Sequence, residues 1–198
     1  MPEQSPWWPH SRWEAAVPPP VLEAWRQALS AAEDGRTDAA RQRLEALAAE
    51  HPDFVPALSK LAALLAEKGE TGAAAGWLQR ALELDPNYPP AINNYGNLLL
   101  EQGRLDEARE QYQRALAVDP NYSTARHNLA VALRRSGDIG GFVREFKRAQ
   151  RLRVSEQEAR WREEQRQARQ EGRRGCLPGA AVLLLVPLLA AAAAARWF

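Results

Sequence analysis

The chain has 198 residues, with 26 basic and 25 acidic side chains and a formal net charge of +1. This near balance gives no bulk electrostatic reason to expect a nucleic-acid partner. A single cysteine excludes an intrachain disulfide. The sequence has no phosphate-cradling glycine loop, nucleophile elbow or metal-ligand spacing. We therefore expect no catalytic residue, metal, cofactor or small-molecule substrate.

The N-terminal residues, 1–20, are rich in tryptophan and proline. Trp7, Trp8 and Trp13 lie among six prolines, and no apolar core of a secretory signal is present. Such a composition is typical of a flexible arm or of a strap across the first folded element.

A 34-residue period runs through the middle of the chain. Asp85-Pro86-Asn87-Tyr88 recurs as Asp119-Pro120-Asn121-Tyr122. Four glycines also follow one another at this period, namely Gly35, Gly69, Gly103 and Gly137. Self-similarity at such a period indicates stacked helix pairs, which form a binding scaffold more often than an enzyme.

Each period contains two amphipathic patterns. Ile92, Tyr95, Gly96 and Leu99 lie at i, i+3, i+4 and i+7, which places them on one face of a helix. A second stripe follows in the same unit, formed by Ala108, Tyr112 and Ala115. Glycine at 103 and proline at 120 are expected to end the first and second helix respectively.

These residues resemble the tetratricopeptide repeat family, whose unit is a helix-turn-helix of about 34 residues. The resemblance implies an all-α fold, a right-handed superhelical solenoid. We predict units at about 21–54, 55–88 and 89–122, followed by a fourth at 123–154.

The fourth unit departs from the pattern. Phe142 occupies the position of a close-packing alanine, and Gly140-Gly141 is expected to interrupt the second helix at its start. Ser155 and Glu158 have the spacing of a capping box, which predicts a new helix from about Glu156. We predict that 155–174 forms a charged capping or stalk helix.

Residues 177–195 carry no charge and are long enough to span a bilayer. Arginines are concentrated before this segment, so the positive-inside rule predicts that the repeats face the cytoplasm. The sequence therefore predicts a tail-anchored, single-pass membrane protein with a C-terminal transmembrane helix. We expect a bacterial inner or thylakoid membrane in preference to a eukaryotic organelle.

The first helices are predicted to line a concave groove that binds a protein or peptide segment. An asparagine carries both a donor and an acceptor, so a row of asparagines can pair with the backbone of an extended peptide. An alternative hypothesis is that these asparagine side chains do not bind a peptide and only contact solvent. Arginines in the fourth unit would favour an acidic ligand. The candidate groove residues are Lys60, Asn93, Asn94, Asn97, Arg126, His127, Asn128 and Arg134.

A narrower family function is disfavoured by the residues. Some tetratricopeptide domains clamp the acidic C-terminus of chaperones through five positions on three first helices. Here only Asn94 fits, and Ser59, Ala63, Thr124 and Asn128 do not. We expect a membrane-anchored scaffold that acts in the assembly or biogenesis of a membrane complex. The alternatives are an organelle receptor resembling the mitochondrial fission adaptor and a soluble regulator.

Overall fold

The computed structural model describes residues 17–170, which form eight α-helices and no strand. The helices are α1 (Pro19–Glu33), α2 (Thr37–Glu50), α3 (Val55–Glu67), α4 (Thr71–Leu84), α5 (Pro89–Glu101), α6 (Leu105–Val118), α7 (Ser123–Arg135) and α8 (Ile139–Gln170). The expected all-α repeat of helix pairs is confirmed.

Each first helix ends in the same turn. The φ angle of Gly103 is 76°, a left-handed conformation that glycine adopts without steric cost. The Arg104 amide donates to the Leu99 carbonyl and the Gly103 amide donates to the Leu100 carbonyl, which together close a Schellman motif. The turns at the other three periodic glycines have the same signs of φ. The period therefore fixes the turn geometry, as the sequence predicts.

The boundary between repeats is held by its aspartate. Asp119 follows the last residue of α6, and its Oδ1 accepts a hydrogen bond from the Asn121 amide at 2.9 Å. Asp85 makes the same contact with Asn87 one repeat earlier, at 3.0 Å. This local turn, with the proline that follows the aspartate, ends the second helix and starts the next repeat.

Small residues allow the helices of a repeat to pack closely. A Cβ added at Gly96 of α5 would lie 2.7 Å from Cε1 of Tyr112, whose side chain on α6 is fully buried. First helices of successive repeats, such as α3, α5 and α7, also contact one another directly. Because the first helices approach each other in this way, they form the inner side of the stack.

The fourth repeat differs from two of the expectations. Gly140 and Gly141 do not interrupt the helix: Asp138 Oδ1 accepts a hydrogen bond from the Gly141 amide at 2.7 Å and caps α8. A Cβ at Gly141 would displace that carboxylate from its capping position. The predicted new helix at about Glu156 is also wrong, because α8 continues unbroken through this point. The Ser155 hydroxyl donates instead to the Leu152 carbonyl within the helix, at 2.7 Å.

The chain divides into two compact units, one ending at Gln157 and one beginning at Glu158. The second contains the described helical residues 158–170, in which Arg162 pairs with Glu158 at 3.1 Å and Trp161 is exposed. The predicted transmembrane segment, 177–195, lies outside the described residues, as does the predicted arm up to residue 16. Within residues 17–170, none of the helices combines the length and apolar character that crossing a bilayer requires.

Candidate peptide groove

A chain of polar side chains crosses the inner side of the second, third and fourth repeats. It consists of Asn93, Asn94, Asn97 and Asn128, with Ser59 at one end and Tyr112 at the other, and we call it the asparagine ladder. The four asparagines are all among the residues predicted for the groove. The structure brings them together on two first helices, α5 and α7.

The lower half of the asparagine ladder joins α3 to α5. Asn94 Nδ2 donates to the carbonyl oxygen of Ser59 at 3.2 Å and to its hydroxyl at 3.3 Å. Asn93 Nδ2 donates to Asn94 Oδ1 at 3.3 Å. Asn94 therefore uses both ends of its amide within the stack.

The upper half joins α5 to α7 and α6. Asn128 Nδ2 donates to Asn93 Oδ1 and to Asn97 Oδ1, each at 3.0 Å. The Tyr112 hydroxyl donates to Asn97 Oδ1 at 2.8 Å. Burial raises the pKa of Tyr112, so this hydroxyl stays protonated and remains a donor.

The asparagine ladder is partly structural and partly open. Asn93 is 2% exposed, and its side chain is paired at both ends, so it serves the packing of the repeats. Asn97 and Asn128 are half-buried. Within the described part of the chain, Asn97 Nδ2 donates no hydrogen bond and Asn128 Oδ1 accepts none. One donor and one acceptor are therefore available to a ligand.

Arg126 has a different role from the one expected. Its Nη1 pairs with Glu145 of α8 at 2.8 Å, and its Nη2 donates to the Pro120 carbonyl at 2.6 Å. Both charged side chains are largely buried. The ion pair fixes α8 against α7, so this guanidinium is not free to attract an acidic ligand.

His127 and Arg134 also contact α8. The His127 ring lies 5.9 Å from the Phe146 ring, measured between centroids, and the Arg134 guanidinium lies 5.6 Å above the Phe142 ring. Burial lowers the pKa of His127, and the positive charges of Arg153 and Arg134 lower it further. The neutral ring packs on an aromatic side chain, whereas Arg134 stays exposed at the edge.

Lys60 is half-buried on α3, one residue after Ser59 and one period before Asn94. It makes no hydrogen bond or ion pair with any other residue between 17 and 170. Ser59 and Tyr112 form the two ends of the asparagine ladder, and neither is among the groove residues predicted from the sequence. Their signal was the period itself, since Ser59 precedes Asn93 by 34 residues and Tyr112 occupies the aromatic position of the second helix.

Three family models match the chain. One, described as a TPR repeat, matches residues 96–137, and two, described as tetratricopeptide repeats, match 77–110 and 26–89. Together they span residues 26–137. Residues 26–137 are tetratricopeptide repeats. The groove is thus set on a scaffold that supports protein-protein interaction. Comparison of the sequence with those of curated proteins gave no significant match.

Solved structures share the fold. A crystal structure of MamA is 21% identical, with a TM-score of 0.55 over 75% of this chain and 87% of that one. Pseudomonas aeruginosa pilF is 24% identical, with a TM-score of 0.59 over 67% of this chain and 60% of that one. At these identities the likeness shows the fold alone. A mutant of the Thermobaculum terrenum O-GlcNAc transferase is 31% identical over 57% of this chain, which spans only 22% of that enzyme.

Proposed function

We propose that this tetratricopeptide repeat protein is a membrane-anchored scaffold that binds an extended peptide segment of a partner protein. The observation that supports the proposal is that the asparagine ladder has one amide donor and one amide acceptor without a hydrogen-bond partner in the described part of the chain. Asn97 Nδ2 and Asn128 Oδ1 belong to neighbouring repeats, and both side chains are held in place by their other hydrogen bonds. Fixed donors and acceptors lose little conformational entropy on binding.

Such a pair suits a peptide backbone. A peptide carbonyl can accept from Asn97 Nδ2, and a peptide N–H can donate to Asn128 Oδ1, whatever side chains the peptide carries. Any preference for acidic residues in the peptide would then depend on the positive side chains of Lys60 and Arg134. The expected preference for an acidic ligand is correspondingly weaker, because Arg126 is neutralised by Glu145.

The groove is tested with a photo-crosslinking residue at Val131, which is half-buried on α7 near the asparagine ladder. A matched probe at Gln113 on α6 is exposed on a second helix and makes no side-chain hydrogen bond in the described part of the chain. We expect a discrete partner, identified by mass spectrometry, from Val131 only. Equal capture from both probes would contradict the groove as the binding site.

A substitution at Asn97 separates binding from folding. Asn97→Asp keeps an oxygen that accepts from Tyr112 and Asn128 but removes the unpaired donor. We expect the crosslink from Val131 to weaken while the helical circular dichroism signal is kept. An unchanged crosslink would show that the partner does not use this donor.

In this proposal, residues 177–195 form the membrane anchor and the repeats face the cytoplasm. A peptide-binding scaffold held at a bilayer is suited to the assembly of a membrane complex, and this is the role that we propose. Carbonate washing of membranes tests the anchor, since an integral chain stays in the pellet. Replacing Leu185 with Arg should cost about 2.5–3.5 kcal/mol of insertion free energy and shift the protein to the soluble fraction. An unchanged distribution would count against the span.

A further inference from the structure

Three large apolar side chains of α8 are exposed in the first unit. Ile139, Val143 and Val154 keep 57%, 40% and 49% of their surface accessible. At about 100° per residue they lie within about 60° of one another around the helix. The exposed residue between them on this side is the uncharged Gln150. We call this surface the α8 stripe.

Basic residues border the α8 stripe. Lys147 and Arg151 follow it on one side, and Arg153 lies on the other. All three are exposed. Within this part of α8 the acidic residues face away: Glu145 pairs with Arg126 and Arg148, and Glu156 is 7% exposed. The α8 stripe is thus an apolar strip of exposed surface with basic side chains on both sides.

This arrangement discriminates between possible occupants. A second copy of α8 packed stripe to stripe would bring Lys147, Arg151 and Arg153 against the same positive side chains, and like charges repel. An anionic lipid surface offers negative head groups to both edges and acyl chains to the apolar centre. We propose that the α8 stripe docks on an anionic membrane surface.

The proposal rests on the membrane anchor of the proposed function. A chain tethered to a bilayer holds its other surfaces at high effective concentration near the lipid, so a weak amphipathic contact suffices. Docking of α8 would fix the fourth repeat, and with it the groove, at the membrane surface. The anchor alone would not set that orientation.

The test uses the full chain and a local reporter. Cys176→Ser removes the native thiol, and Gln150→Cys then carries an environment-sensitive fluorophore within the α8 stripe. The labelled protein is added to phosphatidylcholine vesicles with or without phosphatidylglycerol, and flotation measures vesicle binding separately. We expect a blue shift of emission only with phosphatidylglycerol, reversed by salt. The same label on Ser155→Cys, which lies on another side of the helix, should not shift.

Charge reversal gives the matched comparison. Lys147→Glu with Arg151→Glu should abolish the shift, since each basic residue removed weakens attraction to an anionic surface about fivefold. Arg36→Glu with Arg80→Glu changes the net charge equally, on exposed residues of other elements, and should leave the shift intact.

The remaining outcomes overturn the proposal. If the chain floats with both kinds of vesicle but the label at position 150 does not shift, the anchor stands and docking of α8 is refuted. If the chain floats with neither, the anchor fails and this inference fails with it. A larger shift with soluble polyglutamate than with phosphatidylglycerol vesicles would assign the α8 stripe to an acidic polypeptide instead.

Discussion

In the third repeat, the ring of Tyr112 on α6 is completely buried against Gly96 of α5. In the fourth repeat, the corresponding ring is that of Phe146 on α8, which is only half-buried and lies against His127. Tyr112 also donates a hydrogen bond to the asparagine ladder, which Phe146 cannot do. Both repeats have the same 34-residue period and the same glycine turn. Identical turns therefore do not guarantee identical packing of the helix that follows.

The difference begins with a single small residue. Ala108 lets α6 approach α5 closely, and its counterpart one period later is Phe142. The Phe142 ring packs against the Phe146 ring, with the ring centroids 5.4 Å apart and the planes tilted by 38°. Charged contacts then hold α8, above all the Arg126–Glu145 pair, in place of close apolar packing. The helices of the fourth repeat are therefore less closely packed, and α8 exposes the α8 stripe, which we propose docks on the membrane.

The largest expected effect comes from truncating the two corresponding rings. Tyr112→Ala removes a fully buried aromatic side chain and should lower the free energy of unfolding by about 3–5 kcal/mol. Phe146→Ala should cost less, because its ring already contacts solvent. Urea titration followed by circular dichroism measures both. Equal losses would show that the two repeats are packed equally well.

Removing the central amide of the asparagine ladder should have the next largest effect. Asn128→Ala leaves the buried Asn93 Oδ1 without its donor from α7, at a cost of about 1–3 kcal/mol in the free energy of unfolding. Asn121→Ala is the control, since this side chain is exposed and only its backbone amide is used. A loss no greater than in the control would mean that the asparagine ladder does not couple the third and fourth repeats.

Much of the fold could be predicted from the sequence because the residues that form the turns and the close contacts recur at fixed positions of the repeat. The left-handed glycine at 103 and the end of α6 before Pro120 follow from local backbone chemistry. The unbroken course of α8 could not be predicted in this way. A capping box at Ser155 is a local signal, and it competes with a hydrogen bond to the preceding turn that depends on the helix already being formed.

The candidate site was predicted in part for the same reason. The period places the four asparagines on one side, but which amide atoms pair with each other depends on distances between repeats. The new role of Arg126 depends on Glu145, nineteen residues later on a helix whose packing the period does not dictate. Side chains that face the next helix of a regular repeat can be predicted, whereas those facing an irregular one cannot.

A glycine pair tests close packing in the regular repeats. Gly96→Ala places a methyl group against the Tyr112 ring, and overpacking should outweigh the gain in helix propensity, with a net loss of about 1–2 kcal/mol in the free energy of unfolding. Gly76→Ala on α4 meets nothing within 4 Å, so the same substitution should stabilise by about 0.5–1 kcal/mol. If both variants are stabilised, α5 and α6 are less closely packed than their contact indicates.

The smallest effect concerns pH and the contact between α7 and α8. Burial, and then Arg153 and Arg134, hold the pKa of His127 below its ordinary value of about 6.5. The folded protein thus favours the neutral ring, and the unfolded chain binds a proton first as the pH falls. Above about pH 6.5, the titration of His127 does not change the free energy of unfolding. Below that pH it lowers the free energy of unfolding, and the loss stops growing once the pH falls below the pKa of His127 in the folded protein.

The matched variant for this pH effect is His127→Asn, which restores the residue found one period earlier. Urea titration of both proteins at about pH 7.5 and about pH 5.5 should show a larger loss of stability for the parent protein than for the variant. A protonated His127 would place a third positive charge beside Arg134 and Arg153. Because the third repeat has Asn93 at this position, bound within the asparagine ladder, the acid sensitivity should be confined to the repeat that packs irregularly. Equal losses in the two proteins would place the titrating group elsewhere.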